Sequence, residues 1–479
     1  MKKEKNYYSS LIMKRIGATI SKEWLKTMTL LCIPLCVHSI ANAQEVFSLS
    51  DCINYSIENN HNLKKAQYER EKATYAHKEV TGALLPQINA SSGLNYNAKK
   101  AKFIMPNFVN MMLPPSAQDP SAPKFMTIEM GMKYNANVGV SLNQQILNLP
   151  LFNTLKITEM AEQMAALGLE SNEEDLMAQV AHLFYGIQST EYAAHEMLKS
   201  AKLVEKMLQM MEVSYENGLV RKVDVDRLKV TLVNLTTQAS AIRNAVETQK
   251  NLLKLQMGLD MREPLNIAPI DLNLIEQQAS SEGTIPFDVM SQTGYKLLLS
   301  KRDMAKLQKK SVLYEYFPSI SLTANYQYSG VSEEFFRGET NYWYPTSVIG
   351  LSLRLPIFSG LSRRAKAKES NYELLKAEQD VTMIEQSLSM AYRNAQSKLE
   401  ETKKTINLQK DNQRMAEEVF KVTENNFALG VSSMSDVLNA NQSLIQAQMS
   451  YADALNEYMS AYIDLIKASG RIREILTNK

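Results

Sequence analysis

The chain has 479 residues, of which 45% are hydrophobic and 22% are charged, as in an ordinary folded protein. Its formal net charge is +2, or −3 once the N-terminal segment described next is removed, so it lacks the basic excess of a nucleic-acid-binding protein. Only 17 glycines and 14 prolines interrupt it and nothing divides it cleanly into two globular domains, so long uninterrupted elements are expected.

Residues 1–43 have the pattern of a secretory signal peptide. Basic residues up to Lys26 precede an apolar run, Met28–Val37, which leads into Ala41-Asn42-Ala43. The alternative is a short membrane anchor, but the run is much shorter than the roughly 20 residues of a spanning helix. Met13 is an alternative translation start. Cleavage after Ala43 removes seven basic and two acidic residues, which leaves 46 basic and 49 acidic groups; the cysteine that remains is Cys52, so no internal disulfide is expected.

The rest of the sequence contains an internal repeat. Residues 85–88, 138–142 and 217–220 are echoed by residues 317–320, 349–353 and 429–431, displaced by 232, 211 and 212 positions. Because order and spacing are both kept, the pattern predicts a tandem duplication. We assign residues 44–257 to the first repeat, 258–286 to a proline-containing connector, 287–470 to the second repeat and 471–479 to a tail. Each repeat is predicted to run helix, strand, loop, strand, long helix, tip, long helix.

Two strands are predicted in each repeat from strict alternation of apolar and polar residues. In Ser319–Tyr328, for example, Ile320 and Leu322 share one face while Ser321 and Thr323 share the other. A half-buried soluble sheet also fits alternation, but small uncharged residues on the polar face and tyrosines near the strand ends favour a lipid-facing barrel with a wet interior. Since no later stretch approaches 18 apolar residues, any membrane crossing is expected to use these strands, in an outer membrane. Four strands cannot close a barrel, whereas three copies would supply twelve.

The loops between paired strands differ in length. The first, Ala98–Lys133, is a long insert rich in methionine and proline, and the second, Val331–Tyr344, is shorter and aromatic. Long loops at one end of a barrel usually face outside the cell.

Long helices follow each pair of strands. Leu361–Leu429 contains 69 residues without glycine or proline, which as a helix would span ~100 Å, and Phe152–Glu216 is its counterpart. Glycine ends each run, and second helices are predicted to return over Val223–Met257 and Ser435–Ser469. Residues stepping by three or four predict a coiled-coil seam: Leu374, Ala377, Val381, Ile384, Leu388, Ala391, Ala395, Leu399, Thr402 and Ile406.

No catalytic, metal or cofactor signature is found. His195-Glu196 lacks the second histidine of a zinc helix, and the residues after Gly430 lack the second glycine of a nucleophile elbow. Cys52 is interpreted as a small buried residue of the first helix. The protein is therefore not expected to be an enzyme or to carry a cofactor.

Over about residues 46–470 the sequence resembles the TolC family of outer-membrane efflux proteins. The resemblance rests on the strand entries Leu85–Ile88 and Phe317–Ile320, the strand exits 149–152 and 355–358, and the two glycine tips. It implies a mainly α-helical protein with membrane β-structure: a homotrimer with a twelve-stranded β-barrel in the outer membrane, in contact with its lipid, continuous with a coiled-coil α-helical barrel in the periplasm. The implied function is the passive exit duct of a tripartite efflux or type I secretion system. The implied partners are a periplasmic adaptor and an inner-membrane pump, which would select the cargo.

Acidic residues at the tips suggest a periplasmic gate. Asp224 and Asp226 follow Gly218, and Asp436 follows Gly430. In a threefold assembly each would form a ring of carboxylates that selects cations, whereas the plainer interpretation is capping of the returning helix. We favour capping for Asp226 and the gate for Asp224 and Asp436, which repeat at 212 residues.

The resemblance supports this gate only in part. Phe427 stands where the family has tyrosine, Ser432 where it has arginine, and Asn439 at its second acidic position. The gate would then close through other contacts, and our candidates are ion pairs of Arg221 and Lys222 with Asp436. The resemblance also makes the tips the adaptor docking sites: Gly218, Leu219, Val220, Gly430, Val431 and Ser432.

Two other classes remain as alternatives. A periplasmic adaptor also has long helical hairpins but would need only one and no alternating strands. A periplasmic or secreted coiled-coil structural protein would leave the two-faced strands unexplained.

Overall fold

A computed structural model of the chain describes residues 46–280, 285–339 and 341–476. The predicted signal peptide and the end of the predicted tail lie outside these residues. The fold is that of the unit that begins at Phe47. The described elements, in chain order, are β1 (Val46–Phe47), α1 (Leu49–Asn59), α2 (His61–Gly82), β2 (Gln87–Tyr96), β3 (Ala101–Pro106), α3 (Phe108–Met111), β4 (Phe125–Met130), β5 (Tyr134–Leu147), α4 (Leu149–Glu216), α5 (Lys222–Met257), β6 (Asn266–Ile267), α6 (Leu272–Ser280), α7 (Thr293–Tyr314), β7 (Ser319–Ser332), β8 (Tyr342–Arg354), α8 (Ser362–Ala428) and α9 (Met434–Ala468), with short 3-10 helices at Val289–Ser291 and Ile472–Leu476.

The four long strands form one antiparallel sheet in the order β2-β5-β7-β8. Its register aligns the predicted apolar positions of neighbouring strands: Ile88 lies opposite Leu142, Leu142 opposite Ala324, and Ala324 opposite Ile349. The next row, on the other face, joins Asn89, Ser141 and Asn325. The predicted two-faced strands are therefore confirmed. The apolar row continues across all four strands, whereas the polar row ends at β8 with Val348, which lies opposite Asn325.

The two loops differ from the prediction. The long insert contains an antiparallel hairpin, β3–β4, with the short helix α3 between its strands. Six residues of alternation beside prolines gave too weak a signal to predict these strands. The second loop is shorter than expected, because β7 runs to Ser332 and β8 already begins at Tyr342. The residues Tyr342–Tyr344 thus belong to a strand.

The long helices are confirmed. Helix α4 has 68 residues and α8 has 67, each spanning ~100 Å, and each is followed by a returning helix of about half that length, α5 or α9. Of the predicted seam, Ala377, Leu399, Thr402 and Ile406 are buried and all the others except Ala391 are partly buried. Pro150 lies in the first turn of α4, where no backbone N–H is needed.

The first predicted helix is in fact two. Asn60 separates α1 from α2: its side-chain oxygen accepts hydrogen bonds from the backbone N–H groups of Asn62 and Leu63 at 2.8 and 3.0 Å, and its amide donates to the Gln256 carbonyl at 2.7 Å. Cys52 of α1 is fully buried, as predicted, and burial raises the pKa of its thiol to about 12.

The connector after α5 contains a short strand and a nine-residue helix, β6 and α6, and it is attached to the long helices. Glu276 of α6 pairs with Lys410 of α8 at 2.6 Å and accepts a hydrogen bond from Tyr451 of α9 at 3.1 Å. Tyr392 donates to the Ile285 carbonyl at 2.6 Å. These contacts fix the connector across the second helical hairpin.

Candidate functional site

The two helical tips have the same backbone geometry. The N–H of Leu219 donates to the Ser214 carbonyl at 2.9 Å, and the N–H of Val431 donates to the Asn426 carbonyl at 2.8 Å. Each bond reaches back five residues, as in a Schellman motif, and needs a left-handed residue before it. Gly218 (φ +73°) and Gly430 (φ +76°) supply that conformation. The repeat seen in the sequence thus places equivalent turns at the two tips.

At the second tip, Ser433 and Asp436 form a capping box for α9. The Ser433 N–H and hydroxyl donate to the Asp436 carboxylate at 2.9 and 2.6 Å, and the Asp436 N–H donates to the Ser433 hydroxyl at 3.3 Å. These bonds lower the pKa of the exposed Asp436 carboxyl. Asp436 therefore caps its helix, which is the plainer of the two interpretations of the sequence. Its place in a ring stays a prediction, because a ring needs further copies.

At the first tip, Arg221 occupies the cap position that Ser433 has at the second, and it makes no capping bond through its side chain. It instead pairs with Asp224, Nε to Oδ2, at 3.1 Å, while Arg227 Nη1 lies 3.9 Å from Oδ1 of the same carboxylate. Asp224 is only 9% exposed. The suggested contact of Arg221 with Asp436 is not seen within the chain, because the nearer carboxylate of Asp224 takes the guanidinium. Asp226 is exposed and lies one turn inside α5, so the capping role predicted for it is wrong.

The tips contact each other through a residue that the sequence analysis missed. Arg227 donates from Nη1 to the Ser435 hydroxyl at 2.8 Å, across 208 residues of sequence. A repeat comparison could not find it, since it lies outside the matched positions. Beneath this contact, Val225, Leu228, Met434 and Val437 of the two returning helices share one buried cluster, against which Phe427 packs half-buried. The two hairpin ends therefore form one body.

The outer ends of the tips carry apolar side chains that are exposed to solvent. Leu219 and Leu429 are each 78% exposed and Val431 is 76% exposed, while Val220 and Ser432 are half-buried. Asn439, on the returning helix, is exposed. Large apolar side chains held at the end of a rigid hairpin are typical of a protein-binding surface.

A second functional surface is the apolar face of the sheet. Ile349, Leu351 and Leu353 of β8 are 76%, 70% and 66% exposed, and Val138 and Val140 of the interior strand β5 are also exposed. Aromatic rings gather where these strands end: Tyr134 lies 5.0 Å from Tyr96 and 5.5 Å from Phe335, centroid to centroid. Such a face is stable in water only if something apolar covers it.

Two other kinds of site are not found among the described residues. None of their helices has a stretch long and apolar enough to cross a membrane. In the same part of the chain, no three His, Cys, Asp or Glu residues are placed to hold a metal ion.

The chain is similar to known outer-membrane proteins. The model of a family described as outer membrane efflux protein matches residues 52–259 and 302–471. The outer membrane protein TolC of Vibrio cholerae is 19% identical over 453 residues, covering 94% of this chain and 97% of that one. A probable efflux pump outer membrane protein of Pseudomonas putida, TtgC, is 23% identical and covers 71% of this chain and 69% of its own. Among solved structures, the Campylobacter jejuni CmeC outer membrane channel has a TM-score of 0.70 at 16% identity, covering 88% of this chain and 85% of that one.

Proposed function

The chain belongs to the outer membrane efflux protein family, and from this we infer that it is the outer-membrane exit duct of an efflux or type I secretion system. It resides in the outer membrane and extends into the periplasm. One observation carries this conclusion: a sheet with an exposed apolar face and a polar opposite face leads directly, through Asn148 and Pro150, into a helix of ~100 Å. Lipid would cover the apolar face and the polar face would line the duct.

We propose that the duct is a homotrimer. The sheet has two free edges, β2 and β8, and in a membrane an unpaired strand edge leaves backbone groups without partners. Pairing β2 of one copy with β8 of the next would satisfy these groups, and three copies would close a twelve-stranded barrel. The similar tips and hairpins of residues 44–257 and 287–470 support a tandem duplication joined by the connector 258–286. The proposed duct is passive and performs no chemistry.

The first experiment is electron microscopy of the detergent-purified mature protein. We expect a threefold particle with a detergent belt at one end and a rod on the order of 100 Å. Soluble monomers, or fibres without a belt, would show that the sheet does not enter a membrane, and would support the coiled-coil structural alternative.

We further propose that Asp224 and Asp436 form a cation-selective constriction at the periplasmic end. Asp436 is exposed and its lowered pKa keeps it ionised. Asp224 is buried and its charge is offset by Arg221, so Asp436 would supply most of the negative charge. In a trimer each position would give a ring of three carboxylates, which narrows a pore electrostatically.

Asp436→Ala is expected to relieve the block of channel currents by multivalent cations, measured in planar bilayers. Asp226→Ala is the matched control, because it removes an exposed carboxylate from the same end without a predicted place in the ring. Unchanged block in Asp436→Ala, or equal relief in both variants, would contradict the ring.

The same hypothesis predicts a pH dependence. Because hydrogen bonds from Ser433 lower the pKa of Asp436, the block should persist as the pH falls through the usual aspartate range near about 4. Ser433→Ala removes the hydroxyl bond, so the block should be lost at a higher pH than in the wild type. Coincident titration curves would exclude Asp436 as the blocking group.

We propose that a periplasmic adaptor docks on the exposed tips, and that an inner-membrane pump completes the system. The apolar side chains of Leu219, Leu429 and Val431 support this proposal. Leu219→Asp with Leu429→Asp should abolish adaptor pull-down while trimer yield is unchanged, because both side chains are open to solvent and support no core. Retained binding would place the adaptor elsewhere.

A further inference from the structure

The insert between β2 and β5 is folded, and hydrogen bonds hold the two ends of the insert together at its base. The backbone N–H of Asn97 donates to the Lys133 carbonyl at 2.7 Å, and its side-chain amide donates to the Met132 carbonyl at 3.0 Å. Lys100 pairs with Glu333 of the second loop. The base therefore sits at the aromatic end of the sheet, where Tyr96, Tyr134 and Phe335 meet.

Beyond this base, the hairpin exposes apolar side chains on every side. The register places Phe103 and Met105 opposite Ile128 and Met126, so one face of the hairpin is wholly apolar; Phe103 is exposed and the other three are half-buried. On the other face, Ile104 is 72% exposed and Phe125 is 62% exposed. The turn adds further exposed side chains: Phe108, Val109, Met111, Met112 and Leu113.

This distribution favours lipid over a protein as the occupant. A single docked protein would cover one face of the hairpin and leave the other in water. Apolar groups around the whole hairpin instead suit immersion at the boundary between headgroups and acyl chains. The hairpin is a separate sheet that short segments join to the aromatic end of the proposed membrane-facing sheet, which would mark that boundary.

The charge of the insert points to the kind of lipid. Residues 98–133 contain five lysines against Asp119 and Glu129, a net charge of +3 in a mature chain of net −3. Lys102 pairs with Glu129 at 3.5 Å, whereas Lys99, Lys124 and Lys133 are exposed. Lysines beside exposed apolar groups are attracted to a negatively charged lipid surface.

We propose that the hairpin Ala101–Met130 is a binding site for anionic lipid of the outer leaflet. Its apolar side chains lie among the acyl chains, and Lys124 of the hairpin, with Lys99 and Lys133 at its base, contacts lipid phosphates. This inference rests on the proposed outer-membrane duct and adds a lipid-binding function to its outer face.

The test uses single tryptophans in the full mature protein. With Trp343→Phe, no tryptophan remains after removal of the signal peptide. In this background a single tryptophan is introduced in each variant: Ile104→Trp or Met112→Trp in the hairpin, Ile349→Trp on the apolar sheet face, or Leu219→Trp at the helical tip. All four sites are well exposed. Each protein is reconstituted into vesicles of phosphatidylcholine with brominated acyl chains, with or without phosphatidylglycerol.

We expect bromine to quench the tryptophans at 104 and 112 when phosphatidylglycerol is present. The tryptophan at 349 should be quenched in both lipids and that at 219 in neither. Reversing the charge of Lys99, Lys124 and Lys133 to glutamate should remove the dependence on anionic lipid. If the tryptophan at position 349 is quenched but those at positions 104 and 112 are not, the lipid-binding proposal is wrong and the proposed duct is still supported.

Other outcomes separate the proposals. If 349 is not quenched, the proposed membrane face itself fails. If 104 and 112 are unquenched and cysteines at these positions cross-link between copies, the hairpins meet one another above the pore and lipid binding is overturned. Quenching at 104 and 112 that is equal with and without phosphatidylglycerol would overturn the role of anionic lipid.

Discussion

Val140→Arg is expected to prevent stable assembly in the outer membrane. Val140 lies in the middle of β5, an interior strand of the sheet, opposite Ala90 and Tyr326 on the apolar face. An arginine facing lipid near the bilayer midplane costs about 2–4 kcal/mol, and a trimer would carry three of them. The measurements are the amount of folded protein in outer-membrane fractions and the urea midpoint of the reconstituted protein.

Ser141→Arg is the matched control for this variant. Ser141 is the next residue of the same strand and lies between Asn89 and Asn325 on the polar face. There an arginine would meet water in the duct, so assembly should be nearly normal while channel selectivity shifts towards anions. If both variants assembled equally well, the apolar face would not be the lipid face.

Gly258→Ala is expected to destabilise the helical part of the protein by about 2–5 kcal/mol. Gly258 ends α5 with a φ of +72°, and an added Cβ would lie 2.5 Å from the Asn59 carbonyl oxygen. The backbone of Asn59 cannot retreat easily, because the next residue, Asn60, caps α2 and bonds to Gln256. Strain from the left-handed conformation and the steric overlap therefore act together. The free energy of unfolding, followed by helical circular dichroism, measures the effect.

Gly218→Ala separates the two causes. Gly218 has nearly the same φ, +73°, but nothing lies within 4 Å of an added Cβ. Its substitution should cost only the backbone strain of about 1–2 kcal/mol. Equal costs at the two positions would mean that the contact with Asn59 contributes nothing.

The sequence was a good guide wherever the structure depends on a local period. Alternation every two residues identified all four long strands. The absence of glycine and proline from α8, and their scarcity in α4, identified the two helices of ~100 Å. These patterns work because a residue's face within a strand or helix depends only on its neighbours along the chain.

The tips show where this information ends. The sequence spacing of Ser433 and Asp436 is enough to form a capping box, because the two residues lie within one helical turn. At the first tip, Arg221 replaces the serine, and the carboxylate of Asp224 turns to two arginines instead. Equal spacing in the two repeats therefore concealed different contacts.

The sequence by itself determined that the strands of this protein have two faces and that its long helices return at glycine tips; the signal peptide stays a prediction. Only the tertiary structure decided the strand order β2-β5-β7-β8, the hairpin within the insert, the break at Asn60 and the bond from Arg227 to Ser435. The physical reason is distance along the chain. Periodicity and capping are settled among residues a few positions apart, whereas these pairings join residues up to 208 positions apart and depend on how whole elements pack.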